Sequence, residues 1–220
     1  MLGWVIVSFT ILLIFLCLYI FFFDFFRKRS EKKSFQKKVY RVLKYYAEEE
    51  DQLLINKVAL VLDDDNQPIS FDHILFADKY VYVFYDFSCF GGLYGNVNDP
   101  YIFLRNEKNK VVKINNPVYY NCEKVKKLEE ALNISHADRI MVSVVVYNSS
   151  LVVPKGIYKK EQTSWFLPLS ELEKTIVTAE KDDVTPIRHE QSEKLALMLQ
   201  KRSNQIKKEI LLQESLRRKK

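Results

Sequence analysis

Residues 1–23, MLGWVIVSFTILLIFLCLYIFFF, contain no charged side chain, and no other feature restricts the chain so strongly. A run of this length, rising about 1.5 Å per residue as a helix, reaches across a hydrocarbon layer of about 30 Å. Trp4 and Tyr19 stand near its two ends, where an amphipathic ring suits the interface. A cleaved signal peptide needs a basic start, a shorter apolar stretch and a small-residue cleavage site. Here nothing basic precedes the run and it ends in Phe21, Phe22 and Phe23. The expectation is one transmembrane anchor over residues 1–26. Arg27, Lys28, Arg29, Lys32 and Lys33 follow it in a basic segment, 27–34. The positive-inside rule then predicts a single-pass protein of the cell membrane whose globular part faces the cytoplasm. The three cysteines, Cys17, Cys89 and Cys122, are an odd number and fit reduced thiols in that compartment.

Charge is unevenly divided. Residues 27–38 and 184–220 each carry a net +6, while 39–183 carries −5. A mildly acidic central domain weakens any reading of it as a nucleic-acid surface.

Beyond the anchor, Phe35, Val39, Val42, Leu43 and Tyr46 recur at steps of three and four, the stripe of an amphipathic helix. Strands are expected at 53–62, 69–77 and 81–87, with Asp63–Pro68 as a turn and residues 88–100 as a loop holding three of the five glycines. A short hairpin is expected from 101–104 and 111–114. Asn116 and Pro117 predict the start of a helix running to 132. Residues 139–147 are nearly all apolar, as in a buried central strand, and a further strand begins at 151–153. A helix over 168–180 carries Leu169, Leu172 and Ile176. The order predicts an α/β sandwich around a mixed β-sheet over 35–183, followed by a long C-terminal helix over 184–220 that Pro186 opens.

Three motifs occur in sequence: Asp72-His73 leading an apolar strand, Gly91 with Tyr94-Gly95 after the next strand, and Asn116-Pro117-Val118 opening a helix that contains Asn121. Together, in this order and spacing, they resemble the nuclease-related domain (NERD) family of bacterial proteins over residues 36–180. The resemblance implies a restriction-endonuclease-like fold and a nuclease centre of the PD-(D/E)xK type. Such a centre holds Mg²⁺ through two carboxylates on neighbouring strands, and a lysine two residues beyond the second acid helps activate water. Alternation along a strand puts that acid and that lysine on one face.

This chain departs from the pattern. The first acid is Asp72, but the second falls on Tyr85 and the lysine on Phe87. A phenol titrating near 10 is a poor Mg²⁺ ligand at neutral pH, and phenylalanine neither binds water nor bears charge. Gln36, Lys37 and Lys38 stand where the family carries an acid in its first helix. Asp86 is displaced by one residue, so its side chain should leave the face opposite Tyr85 unless a bulge re-aims it. Asp72 then reads as a structural hydrogen-bonding residue, His73 as a packing residue, and Tyr85, Phe87 and Phe90 as fillers of the former cleft. No phosphate-binding glycine loop occurs, and His73, His136 and His189 are too scattered for a zinc box. No metal and no cofactor are expected.

The functional expectation is a membrane-anchored, catalytically inactive nuclease-related domain that acts as a protein-interaction or scaffold subunit. Its partner would meet the C-terminal helix, through Leu195, Leu199, Ile206 and Ile210 or through the basic tip at Arg217 and Arg218. Abundant Lys, Phe, Tyr, Ile and Asn point to an A/T-rich bacterial genome. The alternatives are a metal-dependent nuclease with a relocated site built from Asp72, Asp86 and a distant lysine, or a membrane tether for nucleic acid through the basic termini.

Overall fold

Side-chain phase organises this molecule. The computed structural model describes residues 2–61, 68–96, 98–106, 109–134, 140–154 and 163–217, with the helical side chains at 2–9, 20, 21, 24, 25, 28 and 209–217 outside the described set. Strands β1 (Leu53–Val61), β2 (Pro68–Phe76) and β3 (Val81–Phe87) form an antiparallel meander. Strands β7 (Met141–Tyr147) and β9 (Ser164–Pro168) extend it in parallel, giving the order β1-β2-β3-β7-β9. A second sheet, ordered β6-β5-β4-β8, comes from β4 (Gly91–Tyr94), β5 (Tyr101–Arg105), β6 (Val111–Asn115) and β8 (Leu151–Val152). The chain is therefore α/β, with mixed sheets.

One face of the five-stranded sheet is covered by α1 (Leu2–Glu49) and α3 (Leu172–Ala179), which bury Phe35, Val39, Leu43, Leu172 and Ile176 against Tyr82, Phe84 and Val144. The other face meets α2 (Pro117–Leu132) and α4 (His189–Arg217), through Val125, Leu128, Ala196 and Leu199. The four-stranded sheet packs beside them, with Leu93 and Ile102 on Phe87, Val145 and Phe166. β7 is buried at every position, as its unbroken apolar run predicts. Each such valine contributes about 1.5–3 kcal/mol relative to exposure.

α2 starts where the sequence places it. Asn116 accepts the Val118 N–H at 3.0 Å, with Pro117 in the first turn. Elsewhere the structure differs. α1 is one continuous helix of 48 residues, because no glycine or proline interrupts the chain between residues 4 and 67. β4 lies inside the expected loop and β9 was not expected. A 3₁₀ turn at Leu169–Glu171 precedes α3. The expected turn at 63–68 falls almost wholly outside the described residues.

Among the described residues, no helix is long and apolar enough to cross a membrane. The expected span over residues 1–26 falls in large part on side chains outside the described set. Those described there, Leu12, Phe15 and Tyr19 among them, are exposed.

The buried side of β1 changes phase. Leu53 and Ile55 face α2 and α4, and so do Val58 and Leu60. β2 changes phase in step, from Ile69 and Phe71 to Ile74 and Phe76. The two strands stay in register throughout, and the break lies at Lys57, whose φ of 53° is left-handed. Replacing Lys57 with glycine should relieve about 1–2 kcal/mol of strain and lose roughly 0.5–1 kcal/mol to unfolded-chain entropy. The expected outcome is a net gain of about 0.5–1 kcal/mol by urea denaturation, and a loss of similar size would refute the strain.

Candidate functional site

Because β2 changes phase between Phe71 and Ile74, two consecutive side chains, Asp72 and His73, both turn towards α1. Asp72 Oδ1 accepts from Gln36 Nε2 at 3.4 Å, and the His73 ring stacks on Tyr40 at 5.9 Å between centroids. The β2–β3 ladder runs only from Phe76–Val81 to His73–Phe84. Past that rung the Asp72 carboxylate inserts, and its Oδ2 accepts the Asp86 N–H at 2.9 Å. Both carboxylate oxygens thus hold protein donors.

Asp86 does leave the strand opposite to Tyr85, as alternation requires, but this brings it to Asp72 rather than away from it. The irregularity that re-aims the site is in β1 and β2, not in β3. His73 Nε2 lies 3.0 Å from Asp86 Oδ2, and both residues are buried, 3% and 2% exposed. Burial pushes the Asp86 carboxyl above the ordinary carboxylate range, and the hydrogen bond and charge of His73 oppose that rise. Among the described residues, His73 Nδ1 and Asp86 Oδ1 have no hydrogen-bond partner. The pair was not anticipated, although the spacing of Ile55 to Val58 and of Phe71 to Ile74 carries its signal.

On the other side of the sheet, the positions expected to hold the acid and the lysine are packed with rings. Tyr85 lies 5.9 Å from the Tyr120 ring and 6.3 Å from Phe87. Phe87 packs on Phe166 at 6.4 Å. Burial pushes the Tyr85 phenol up to about 12, with the Asp72 charge adding to the rise. Lys124, from α2, enters this ring cluster. Its Nζ lies 4.5 Å from the centre of Tyr120, 5.4 Å from Tyr85 and 5.8 Å from Phe71, and donates to the Ser70 carbonyl at 2.7 Å. Burial lowers its pKa, and the charge of Asp72 partly restores it.

These residues do not fit a Mg²⁺ centre. Hard oxygen ligands in near-octahedral array are needed, whereas both Asp72 oxygens already accept hydrogen bonds and Asp86 Oδ2 is paired with His73. Among the described residues, no group of three or more His, Cys, Asp or Glu is arranged for a metal ion. No protein-family model, curated protein or solved structure matches this chain.

The remaining expected residues are dispersed. Phe90 lines a cleft of about 480 Å³ with Glu31, Phe35 and Asn148. Burial raises the Cys89 thiol to about 11, so it is no thiolate at neutral pH. Cys122 is half-buried, 3.3 Å from the Ser164 hydroxyl. His189 is exposed at the start of α4, and His136 lies outside the described residues. In α4, Leu199 is 1% exposed, so it is not available to a partner. Sheet-edge strand β1 needs an apolar cover, and α4 supplies it with Ala196, Leu199 and Ser203, whose Oγ accepts the Ala59 N–H at 3.0 Å. Leu195 packs half-buried against the same cluster, and Ile206 lines a groove with Leu60, Val61 and Leu128. The side chains of Ile210 and Arg217, and all of Arg218, lie outside the described set.

Proposed function

We propose that this chain is a membrane-anchored nuclease-related domain of restriction-endonuclease-like fold that has lost catalysis and serves as a protein-interaction or scaffold subunit of a bacterial membrane assembly. One observation carries the reading: Tyr85 and Phe87, at the positions of the acid and the lysine, are bound into an aromatic cluster with Tyr120 and Phe166. The engagement of both Asp72 oxygens by protein donors adds to it. The anchor is supported by the uncharged run at 1–23 and by exposed apolar side chains such as Leu12 and Phe15 on α1. Large exposed apolar groups in a row call for a non-aqueous setting.

A relocated nuclease site is the second reading. It is favoured by the approach of Asp86 to Asp72 and by the influence of Asp72 on Lys124, which would be the distant lysine. Full-length protein in detergent micelles, incubated with plasmid and single-stranded DNA in Mg²⁺ or Mn²⁺, distinguishes the two. The expected result is no cleavage above a protein-free blank. Cleavage that Asp72→Ala abolishes would replace the scaffold reading with the enzymatic one.

A further inference from the structure

The outer face of the four-stranded sheet presents three register rows: Val152–Gly92–Arg105–Val111, Tyr94–Phe103–Lys113 and Tyr101–Asn115. It combines exposed aromatics with cations, and the described residues of these rows hold no carboxylate. The Arg105 guanidinium lies 4.9 Å from the Tyr94 ring and Lys113 Nζ 4.0 Å from that of Tyr101. Phe103, between them, is 46% exposed. Such a mixture of Tyr, Phe and Arg is typical of the centre of protein interfaces.

β6 shows where a partner is missing. Its Val111 points outward and its Val112, opposite the inward Leu104, points towards the core, yet the two are 50% and 41% exposed. Valines uncovered on both faces of one strand mark an open edge. β6 is the terminal strand of its sheet, no described strand lies beyond it, and no proline blocks it.

We propose that β6 takes up an extended acidic segment of a protein partner, which adds as a strand along its free edge. A carboxylate of the added strand meets Lys113 across the pair, the methylenes of a second acidic side chain two residues along lie over Val111, and the apolar side chain between them covers Val112. Main-chain hydrogen bonds give such additions affinity, and alternate side chains give specificity. The proposal rests on the scaffold reading and names its partner chemistry. A second copy of this chain is disfavoured, because symmetric pairing of β6 about its centre sets Lys113 opposite Lys113. Nucleic acid is disfavoured because Arg105 and Lys113 already lie against the rings that bases would use.

The test uses the full chain in detergent micelles and a labelled synthetic peptide alternating valine and glutamate. Fluorescence anisotropy should report binding, and amide hydrogen exchange should show protection confined to β6 and its neighbour β5. Lys113→Glu should weaken binding about tenfold, the exchange of an opposite-charge pair for a like-charge one, and a valine–lysine peptide should recover it on that variant. Absence of peptide binding, or protection away from β6, overturns the proposal. Equal protection of β6 by oligothymidine overturns it in favour of nucleic acid. The scaffold reading fails separately, by DNA cleavage in the nuclease assay.

Discussion

Asp86→Ala is expected to destabilise the protein by about 3–5 kcal/mol, because it strands His73 in a buried site without the carboxylate that its Nε2 meets. His73 is 3% exposed, its Nδ1 lacks a partner among the described residues, and Asp86 Oδ2 is the group that Nε2 meets at 3.0 Å. The double variant His73→Leu, Asp86→Leu should lose less than the two single changes summed, by about 1–3 kcal/mol, since removing both partners leaves no polar orphan. A pH dependence accompanies the effect. Burial raises the folded-state pKa of Asp86, so the native chain keeps a proton that the unfolded chain has released. The resulting stability is fully present below the unfolded carboxylate range and is lost as pH rises through the raised value. Asp86→Asn cannot titrate, so its deficit relative to the parent should shrink from acid to neutral pH. Urea denaturation of the full chain at several pH values measures both. A deficit for Asp86→Ala within about 0.5 kcal/mol would show that the buried pair contributes little.

That pair also marks where strict alternation misleads. The strands β1, β2 and β3 are legible from their β-branched and aromatic residues, and α2 from Asn116 and Pro117. The face of each side chain is not, if a strand is assumed to alternate without interruption. Leu53, Ile55, Val58 and Leu60, and likewise Ile69, Phe71, Ile74 and Phe76, carry the phase break openly in their spacing. Applied to both strands, it places Asp72 and His73 on the side that Asp86 occupies. β9 is harder: Ser164–Pro168 is short, ends in proline, and forms by pairing with β7, a contact remote in sequence. β4 is hidden for a different reason. Two of its four residues are glycine, which reads as loop, yet one of them is what allows two strands to meet. The apolar seam of α4 was visible, but not its direction: Leu199 covers β1 within the domain. That Tyr85 and Phe87 share one face of β3 was legible from their one-residue spacing alone. The ring cluster that receives them was not, because Tyr120 and Phe166 come from α2 and β9.

Gly91→Ala is expected to cost about 4 kcal/mol or more and to detach the four-stranded sheet from the domain. At Gly91 φ is +111°, and an added Cβ would stand 1.9 Å from the Arg105 carbonyl oxygen and 2.9 Å from its carbon. Both are backbone atoms, so neither can rotate away. The only relief is to part β4 from β5, which uncovers Leu93, Ile102 and Leu151 from their cluster with Phe87 and Phe166. The other two glycines of the segment give the contrast. At Gly95, φ is +129° but the nearest atom is 3.4 Å away, so alanine there should cost the left-handed strain alone, about 1–2 kcal/mol. At Gly92 the Cβ would meet the outer edge of the Tyr94 ring at 3.2 Å, a side chain free to swing into solvent, and the cost should stay under about 1 kcal/mol. The predicted order of stability loss is therefore Gly91, then Gly95, then Gly92, read from urea midpoints. A mild Gly91→Ala would mean that β4 and β5 do not approach as closely as the carbonyl contact requires. The same series separates the fold from the docking surface. Gly92→Ala displaces the Tyr94 ring from the outer face without disturbing β6, so it should leave peptide uptake at the β6 edge intact. Gly91→Ala removes the sheet on which β6 depends, and peptide uptake should vanish with it.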